Sequence, residues 1–183
     1  MSSLLSWRNA APGDRQALQS FECTTPGKKI KHAGRWEIQH PRRWELQVQS
    51  KIRAHVKPPC RRPNHCLVGW DGDNLAAVVF YEELDGPAQI EVHVVAVSMA
   101  YRRRGGGWAD ELLRMTLDDI TATAIEQGVD ITSIVAWIDE GNRPSQDLFR
   151  RTGFRQVGVL EGSTLQRWAL TLQIRGVEID ESF

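Results

Sequence analysis

The chain has 183 residues, of which 41% are apolar and 25% charged, a composition typical of a globular protein rather than of a disordered one. Its length suits a single domain, so we expect residues 1–183 to form one. The longest apolar stretch, Leu75 to Tyr81, is too short to cross a bilayer, and residues 1–26 lack the pattern of a secretory signal. Three cysteines do not suggest a disulfide framework, so a reducing, cytoplasmic location is expected.

The neutral total charge conceals an uneven distribution along the chain. Residues 27–62 hold eleven Lys and Arg against two Glu, a net charge of +9, whereas residues 63–183 carry −9. A basic segment of this kind can contact phosphates or an acidic partner, RNA included. The alternative is that it packs against the acidic remainder of its own domain.

The first third of the chain predicts one strand and two helices. Residues 4–10 are typical of a short strand, and the stretch from Pro12 to Asp14 opens a helix. Residues 24–34 are polar, basic and contain proline and glycine, so a loop is predicted there. Residues 42–56 have apolar side chains at intervals of four, an amphipathic helix pattern: Trp44, Val48, Ile52 and Val56.

The rest of the chain predicts a sheet interrupted by two further helices. The helices are expected from about Trp108 to Glu126, with Gly128 as a C-terminal cap, and from Asn142 to Thr152. Strands are expected over residues 66–70, 75–81, 89–97, 131–138, 154–160 and 165–173. This order of elements indicates an α/β domain with a mixed sheet.

A basic, glycine-rich turn joins the strand at residues 89–97 to the helix that begins near Trp108. Glycines let the backbone approach a ligand closely, and the N–H groups at a helix start, together with arginines, bind anions, so a phosphate or pyrophosphate is the expected occupant. The spacing fits neither a nucleotide P-loop nor a dinucleotide fingerprint, and a purely structural glycine turn is the alternative. The residues of the turn are Arg102, Arg103, Arg104, Gly105, Gly106 and Gly107.

Three spaced motifs occur in the order found in one known enzyme family. They are Leu5 to Ala10 followed by Asp14 and Leu18, then Val95 to Gly107, then Asn142-x-x-Ser145-x-x-x-Phe149-x-x-x-Gly153-Phe154. On these residues the chain resembles the GCN5-related N-acetyltransferases (GNAT), and the resemblance covers nearly its whole length. It implies an α/β fold whose mixed, mostly antiparallel central sheet is flanked by helices and splays between the fourth and fifth predicted strands.

The resemblance also implies acetyl-CoA as acetyl donor and direct transfer to a primary amine. In the family, backbone groups that match Val95, Ala96 and Val97 hold the pantetheine arm, and N–H groups that match Arg102 to Gly107 cradle the pyrophosphate. From the third motif, Asn142, Ser145 and Phe149 are expected to contact the coenzyme.

Position 149 departs from the family pattern. Many members have a tyrosine there as general acid toward the leaving thiolate, and phenylalanine has no proton to give. Either another group protonates the thiolate, or it leaves unassisted, or catalysis is lost.

Glu91 is the expected base that removes a proton from the acceptor amine. It lies on the strand leading into the second motif, where histone-acetylating members of the family have a catalytic glutamate; its alternative role is structural or substrate-binding. His93, on the same strand face, is the second candidate base, or else lines the core or the site. The cluster Glu82, Glu83 and Asp85 ends the preceding strand and can line the acceptor site; for Glu82 and Glu83 the alternative is a solvated strand end.

No metal is expected, because Cys60, His65 and Cys66 lack the spacing of a zinc site. The tryptophans are expected in the core or in the walls of an acceptor pocket: Trp36, Trp44, Trp70 and Trp137.

Three functions stay open. The first is an N-acetyltransferase acting on a small-molecule or protein amine, the second is a toxin-like enzyme that acetylates aminoacyl-tRNA using residues 27–62, and the third is a coenzyme-binding module with little activity. The sequence specifies neither the acceptor amine nor the oligomeric state.

Overall fold

The structure, a computed structural model, describes residues 5–102 and 107–174. It contains nine strands and four α-helices in these ranges, with a short 3₁₀ turn before the first helix. The strands are β1 (Ser6–Asn9), β2 (Lys28–His32), β3 (Arg35–Gln39), β4 (Asn64–Asp71), β5 (Asn74–Glu83), β6 (Gln89–Val97), β7 (Ile131–Asp139), β8 (Arg155–Val159) and β9 (Leu165–Gln173). The helices are α1 (Arg15–Ser20), α2 (Arg43–His55), α3 (Trp108–Glu126) and α4 (Arg143–Arg151).

Seven of the strands form one sheet in the order β1-β4-β5-β6-β7-β9-β8. Neighbouring strands are antiparallel except for β6 and β7, which run parallel. The parallel pair follows from the crossover through α3, since two parallel neighbours need a long connection. The predicted mixed, mostly antiparallel sheet is therefore confirmed.

Helices cover both faces of this sheet, because alternate residues of each central strand point to opposite sides. On β5, Val78 and Phe80 join a buried cluster with Leu18 of α1 and Ile52 of α2. The intervening residues of β5 join a second cluster with the apolar faces of α3 and α4: Val79, Tyr81, Leu112, Leu113, Ile120, Leu148 and Phe149.

The two parallel strands diverge in the middle of the sheet. They pair from Gln89, opposite Ser133, to Val92, opposite Ala136, although both strands continue beyond this point. The next residue of β6, His93, is a β-bulge: Tyr81 pairs with Val92 and Phe80 with Val94, which leaves His93 as the extra residue. A bulge bends its strand, so the separation of β6 from β7 begins where the bulge lies. This confirms the expected splay between the fourth and fifth predicted strands.

Residues 24–34 differ from the predicted loop, since most of them belong to a separate hairpin of β2 and β3. The two strands are joined by Ala33 and Gly34, whose φ angles of 47° and 79° suit a two-residue hairpin turn. The prediction was wrong because Lys28 to His32 is mostly polar and lacks the apolar alternation by which strands are recognised.

The α3 helix has the predicted bounds, and Gly128 follows its end with a φ of 69°, the left-handed conformation of a helix terminator. Within the two described ranges, no helix combines the length and apolar character needed to cross a membrane.

Candidate active site

Two adjoining cavities lie where β6 and β7 diverge, against α2. The turn-side cavity, of about 560 Å³, extends from α2 to the first residues of α3 and α4. The bulge-side cavity, of about 380 Å³, lies over the β6 bulge. Residues that line both cavities mark their junction: Trp44, Val48, Val95, Asn142 and Ser145.

The second sequence motif forms one wall of the turn-side cavity. Val95 and Val97 line it from the part of β6 that has left its pairing with β7. Gly107 precedes α3 with a left-handed φ of 64°, and the first residues of the helix line the same cavity. The opening N–H groups of a helix attract anions, which suits the predicted phosphate contact. The predicted cradle residues Arg103, Arg104, Gly105 and Gly106 lie outside the described residues.

Arg102 lines this cavity, but its guanidinium already binds protein groups. It donates from Nη1 to Glu45 Oε1 at 2.6 Å and from Nε to the carbonyl oxygen of Val97 at 3.1 Å. Arg102 thereby fastens α2 to the turn that precedes α3. Its backbone N–H is engaged as well, since it donates to the carbonyl oxygen of Ser98 at 3.2 Å.

Glu45 is a buried carboxylate that three side chains hold in place. Its Oε2 accepts a hydrogen bond from Thr24 Oγ1 at 2.6 Å, and its Oε1 lies 3.1 Å from Arg42 Nη1 in addition to the bond from Arg102. Burial alone would raise the pKa of this carboxyl, but the bonds from Thr24 and Arg102 outweigh it, so its pKa lies below the usual value. Glu45 is therefore a stable anion that organises the wall of the turn-side cavity.

The third motif lies at the junction of the cavities. The Oδ1 atom of Asn142 accepts a hydrogen bond from the backbone N–H of Ser145 at 3.3 Å and caps α4. The indole of Trp44 packs over the preceding turn so closely that a Cβ added to Gly141 would lie 3.0 Å from it. Trp44 of α2 therefore closes over the junction from the opposite side.

Phe149 lines the bulge-side cavity from α4 and is otherwise buried against Phe154, with ring centroids 4.8 Å apart. Tyr101, the nearest tyrosine in the motif sequence, lines the other cavity instead, and its hydroxyl donates to Asp71 Oδ2 at 3.0 Å. The structure thus places a purely apolar ring, which has no proton to donate, at this wall of the cavity.

The two predicted bases, Glu91 and His93, lie side by side on the wall of the bulge-side cavity. The His93 ring is held between two carboxylates, with Nδ1 3.0 Å from Glu91 Oε1 and Nε2 3.1 Å from Glu82 Oε2. Its face stacks on Phe80, with centroids 5.6 Å apart. A proton can therefore be held or exchanged along Glu91, His93 and Glu82.

None of the three acidic residues of the predicted cluster lines either cavity, although Glu82 contacts His93, which does. Glu83 is buried and binds Arg62 Nη2 at 2.5 Å and His65 Nε2 at 2.6 Å. Against the effect of burial, these bonds keep the pKa of Glu83 below its usual value. Both roles considered for Glu83, acceptor lining and solvated strand end, are therefore wrong, because its side chain points to the opposite face of β5 from that of Glu82. Asp85 is exposed.

Lys51, which sequence analysis did not single out, also lines the bulge-side cavity. Its ammonium group lies 6.0 Å from the centre of the Phe80 ring. Burial lowers the pKa of Lys51, opposed by the negative charges of Glu91 and Glu82. The available signal was its position three residues after Val48, on the face of α2 that the apolar residues define.

The predicted tryptophans divide into three groups. Trp44 and Trp137 line the bulge-side cavity, as expected for pocket walls. Trp70 packs against a buried cluster. Trp36 is 71% exposed on the β2–β3 hairpin, so neither predicted role applies to it. As for metals, the described part of the chain holds no group of three or more His, Cys, Asp or Glu side chains arranged to bind an ion.

Comparison with known families identifies the class of protein. Residues 31–154, more than half of the chain, match the model of the acetyltransferase (GNAT) family. The chain therefore belongs to the GNAT acetyltransferase family and is an acyltransferase, which confirms the resemblance drawn from the three motifs. No curated protein matches the sequence.

Solved structures support the fold assignment. The chain is similar to nourseothricin acetyltransferase, with 18% identity, coverage of 94% of this chain and 99% of that one, and a TM-score of 0.57. It is also similar to the ribosomal-protein-S18-alanine N-acetyltransferase of Escherichia coli, at 14% identity, 98% and 100% coverage and a TM-score of 0.59. The PaiA N-acetyltransferase of Thermoplasma acidophilum, solved with coenzyme A, matches at 11% identity, 92% and 99% coverage and a TM-score of 0.62. At these identities the likeness concerns the fold alone.

Proposed function

We propose that the protein is an N-acetyltransferase that moves an acetyl group from acetyl-CoA directly to a primary amine. The observation that carries this proposal is the meeting of two cavities at the divergence of β6 and β7. The turn-side cavity would hold the coenzyme, and the bulge-side cavity the acceptor. The amine and the thioester would then meet at the junction formed by Val95, Asn142 and Ser145.

The residues of the turn-side cavity fit the coenzyme. Beyond Val92 the edge of β6 is no longer paired with β7, so it can bind an extended pantetheine arm as a strand would. The start of α3 at Gly107 supplies N–H groups for the pyrophosphate. When bound, acetyl-CoA would supply the thioester that the amine attacks.

Glu91 is proposed to accept the proton of the acceptor amine. An ammonium cannot attack a thioester, so a base at the cavity wall lowers the barrier to transfer. His93 orients Glu91 by its contact at 3.0 Å and links it to Glu82, whose side chain is the more exposed of the two carboxylates. The proton can then leave toward solvent along this row.

The leaving thiolate is proposed to depart without help from a side-chain acid at position 149. Phe149 has no proton to donate, and the hydroxyl of Tyr101 is bound to Asp71. A thiolate is a stable enough anion to leave unassisted or to take its proton from water.

Release of free thiol from acetyl-CoA, measured over a panel of primary amines, tests the reaction. Glu91→Gln keeps the shape and removes the basicity, so it should lower kcat by roughly 100- to 10,000-fold at neutral pH. Acetyl-CoA affinity should stay near the parental value, and the loss should shrink at high pH, where free amine is abundant. His93→Gln belongs in the same series, and Glu126→Gln, an exposed change at the end of α3, is the matched control. Parental rates for both site variants across the pH range would contradict the role of this cluster.

A second candidate function is acetylation of an RNA-bound amine, and it is favoured by one observation. Cross-strand pairing puts Lys29, Lys31 and Trp36 on one face of the exposed β2–β3 hairpin. Cations beside an exposed aromatic ring suit a single-stranded RNA, whose bases can stack on the ring. The later part of the basic segment supports internal packing instead, because three of its arginines pair with acidic side chains: Arg42 with Glu45, Arg53 with Glu22 and Arg62 with Glu83.

A filter-binding titration of single-stranded RNA at several salt concentrations tests this candidate. If the hairpin binds RNA, affinity should fall steeply with salt, and the Lys29→Gln, Lys31→Gln double variant should reduce the slope by about 1.4. No retention at low salt would assign the whole segment to internal packing and surface solvation.

A further inference from the structure

Lys51 projects a positive charge into the bulge-side cavity from α2. The ammonium group lies over the ring of Phe80, which also stacks against His93. The lysine is half-buried, so part of the hydration of its charge is lost. Its position is therefore costly unless a negative charge faces it.

The neighbouring carboxylates do not contact the Lys51 ammonium group directly. Glu91 and Glu82 both turn toward His93, at 3.0 and 3.1 Å. Across the described residues, Lys51 forms no ion pair with a carboxylate. An anionic group on a ligand can thus approach the ammonium without breaking an existing salt bridge, and it would offset the cost of the partly buried charge.

The same cavity also presents a negatively charged side chain. Glu91 lines it alongside Lys51, and the proposed function assigns the acceptor amine to Glu91. Asp139 also lines the cavity, but both its oxygens are engaged within the fold: Oδ1 accepts from the N–H of Gly141 at 2.8 Å and Oδ2 from Thr164 Oγ1 at 2.7 Å. The cavity therefore presents one cation and one anion to a ligand.

The rest of the cavity wall is largely apolar. Trp137 and Leu160 contribute to it while remaining 37% and 45% exposed, and Leu165 lies beside them. Large apolar side chains that are this exposed to solvent at the mouth of a cavity are typical of a surface that a ligand covers. At about 380 Å³ the cavity has room for a small molecule but not for a folded partner.

We infer that the acceptor is an amino acid with an apolar side chain, whose carboxylate binds Lys51 and whose amine faces Glu91. The apolar side chain packs against Trp137, Leu160 and Leu165. This inference rests on the proposed function and names the substrate class of its acceptor site. The competing explanation is that Lys51 only balances the charge of Glu91 and Glu82, in which case a plain amine would serve equally well.

Matched pairs of acceptors that differ only by the carboxylate separate these explanations. Suitable pairs are leucine with 3-methylbutylamine and phenylalanine with 2-phenylethylamine. For the parental enzyme, kcat/KM should favour the amino acid by about tenfold or more, as a charge-assisted contact in a partly dry site implies. In Lys51→Met this preference should fall toward one, mainly through KM for the amino acid, and Lys51→Arg should restore most of it.

The control variant is Lys57→Met, which removes an exposed positive charge just after α2. It should keep the parental preference for the amino acid. A parental enzyme that favours the plain amine, or a Lys51→Met variant that keeps the full preference, would overturn the inference.

Two further outcomes distinguish this inference from the proposed function. Thiol release with plain amines but not with amino acids would reject the amino-acid acceptor and leave the N-acetyltransferase in place. If no acceptor releases thiol, the proposed function fails, and the binding site is judged by calorimetry with leucine and phenylalanine. Binding that is lost in Lys51→Met supports an amino-acid site, and no binding to the parental protein overturns it.

Discussion

Replacing Glu45 by glutamine should destabilise the protein more than its modest change of size suggests. The carboxylate joins Arg102, in the turn before α3, to Thr24 and to Arg42 beside α2. The amide in Glu45→Gln can still accept from Thr24, but it leaves the guanidinium of Arg102 without its charge partner at 2.6 Å. A hydrogen bond to a charged group contributes roughly 1.5–3 kcal/mol.

We expect a loss of about 2 kcal/mol in the free energy of unfolding, because Arg102 is 31% exposed and water recovers part of the lost interaction. For a chain of this length that corresponds to a fall in Tm of roughly 4–8 °C. The pKa of Glu45 is lower in the folded protein than in the unfolded chain, so its contribution is full above the unfolded value of about 4.3 and is lost as pH falls through the folded value.

Urea unfolding of the parental protein and of Glu45→Gln, followed from pH 7 to pH 3, measures both effects. The difference between the two should be constant near neutrality and should shrink in acid, below roughly pH 4. Glu37→Gln makes the same chemical change on the exposed β3 strand and is the control. A Glu45→Gln midpoint that matches this control, or a difference that does not shrink in acid, would refute the reasoning.

Two further predictions concern glycines. Gly69→Ala should lower the free energy of unfolding by about 1–3 kcal/mol in a urea titration, because the new Cβ would lie 2.6 Å from the Trp7 ring. A hydrogen bond to Glu111 holds that ring in place. The control is Gly13→Ala, which has open space around its Cβ and should show no such loss. Gly107→Val and Gly128→Val both place a branched residue at a left-handed φ, so each should lower the free energy of unfolding by about 1–2 kcal/mol. Only Gly107→Val should also weaken acetyl-CoA binding, by about tenfold in calorimetry. Equal acetyl-CoA affinities for the two valine variants would remove Gly107 from the proposed cradle.

Periodicity predicted the elements whose side chains alternate between core and solvent. The bounds of β6 and α3 are those expected, since Gln89 to Val97 and Trp108 to Glu126 carry strong apolar patterns. The β2–β3 hairpin was missed because it packs few apolar residues and depends on a turn at Ala33 and Gly34. The bulge at His93 was also invisible, because Glu91 and His93 fit a regular two-residue repeat equally well.

The site was predictable where residues close in sequence form it. Val95, Gly107, Asn142 and Ser145 belong to compact motifs, and each lines a cavity. Glu45 and Lys51 were not singled out, because the main groups around them lie more than 20 residues away on other elements: Thr24 and Arg102 for Glu45, and Glu82 and Glu91 for Lys51. No local pattern distinguishes a buried glutamate bound to a distant arginine from a solvated one.

The gap between β6 and β7 depends on how many residues β6 contains as well as on their types, because the bulge at His93 is one extra residue. Substituting His93 removes its contacts with Glu91 and Glu82 but keeps the extra residue that bends β6. Deleting it would leave Val92 opposite Tyr81 and Val94 opposite Phe80, so the ladder with β5 would become regular and the bend that separates β6 from β7 would be lost. The chemistry of the site can therefore change by substitution, whereas loss of this one residue from β6 would remove the gap in which the two cavities meet.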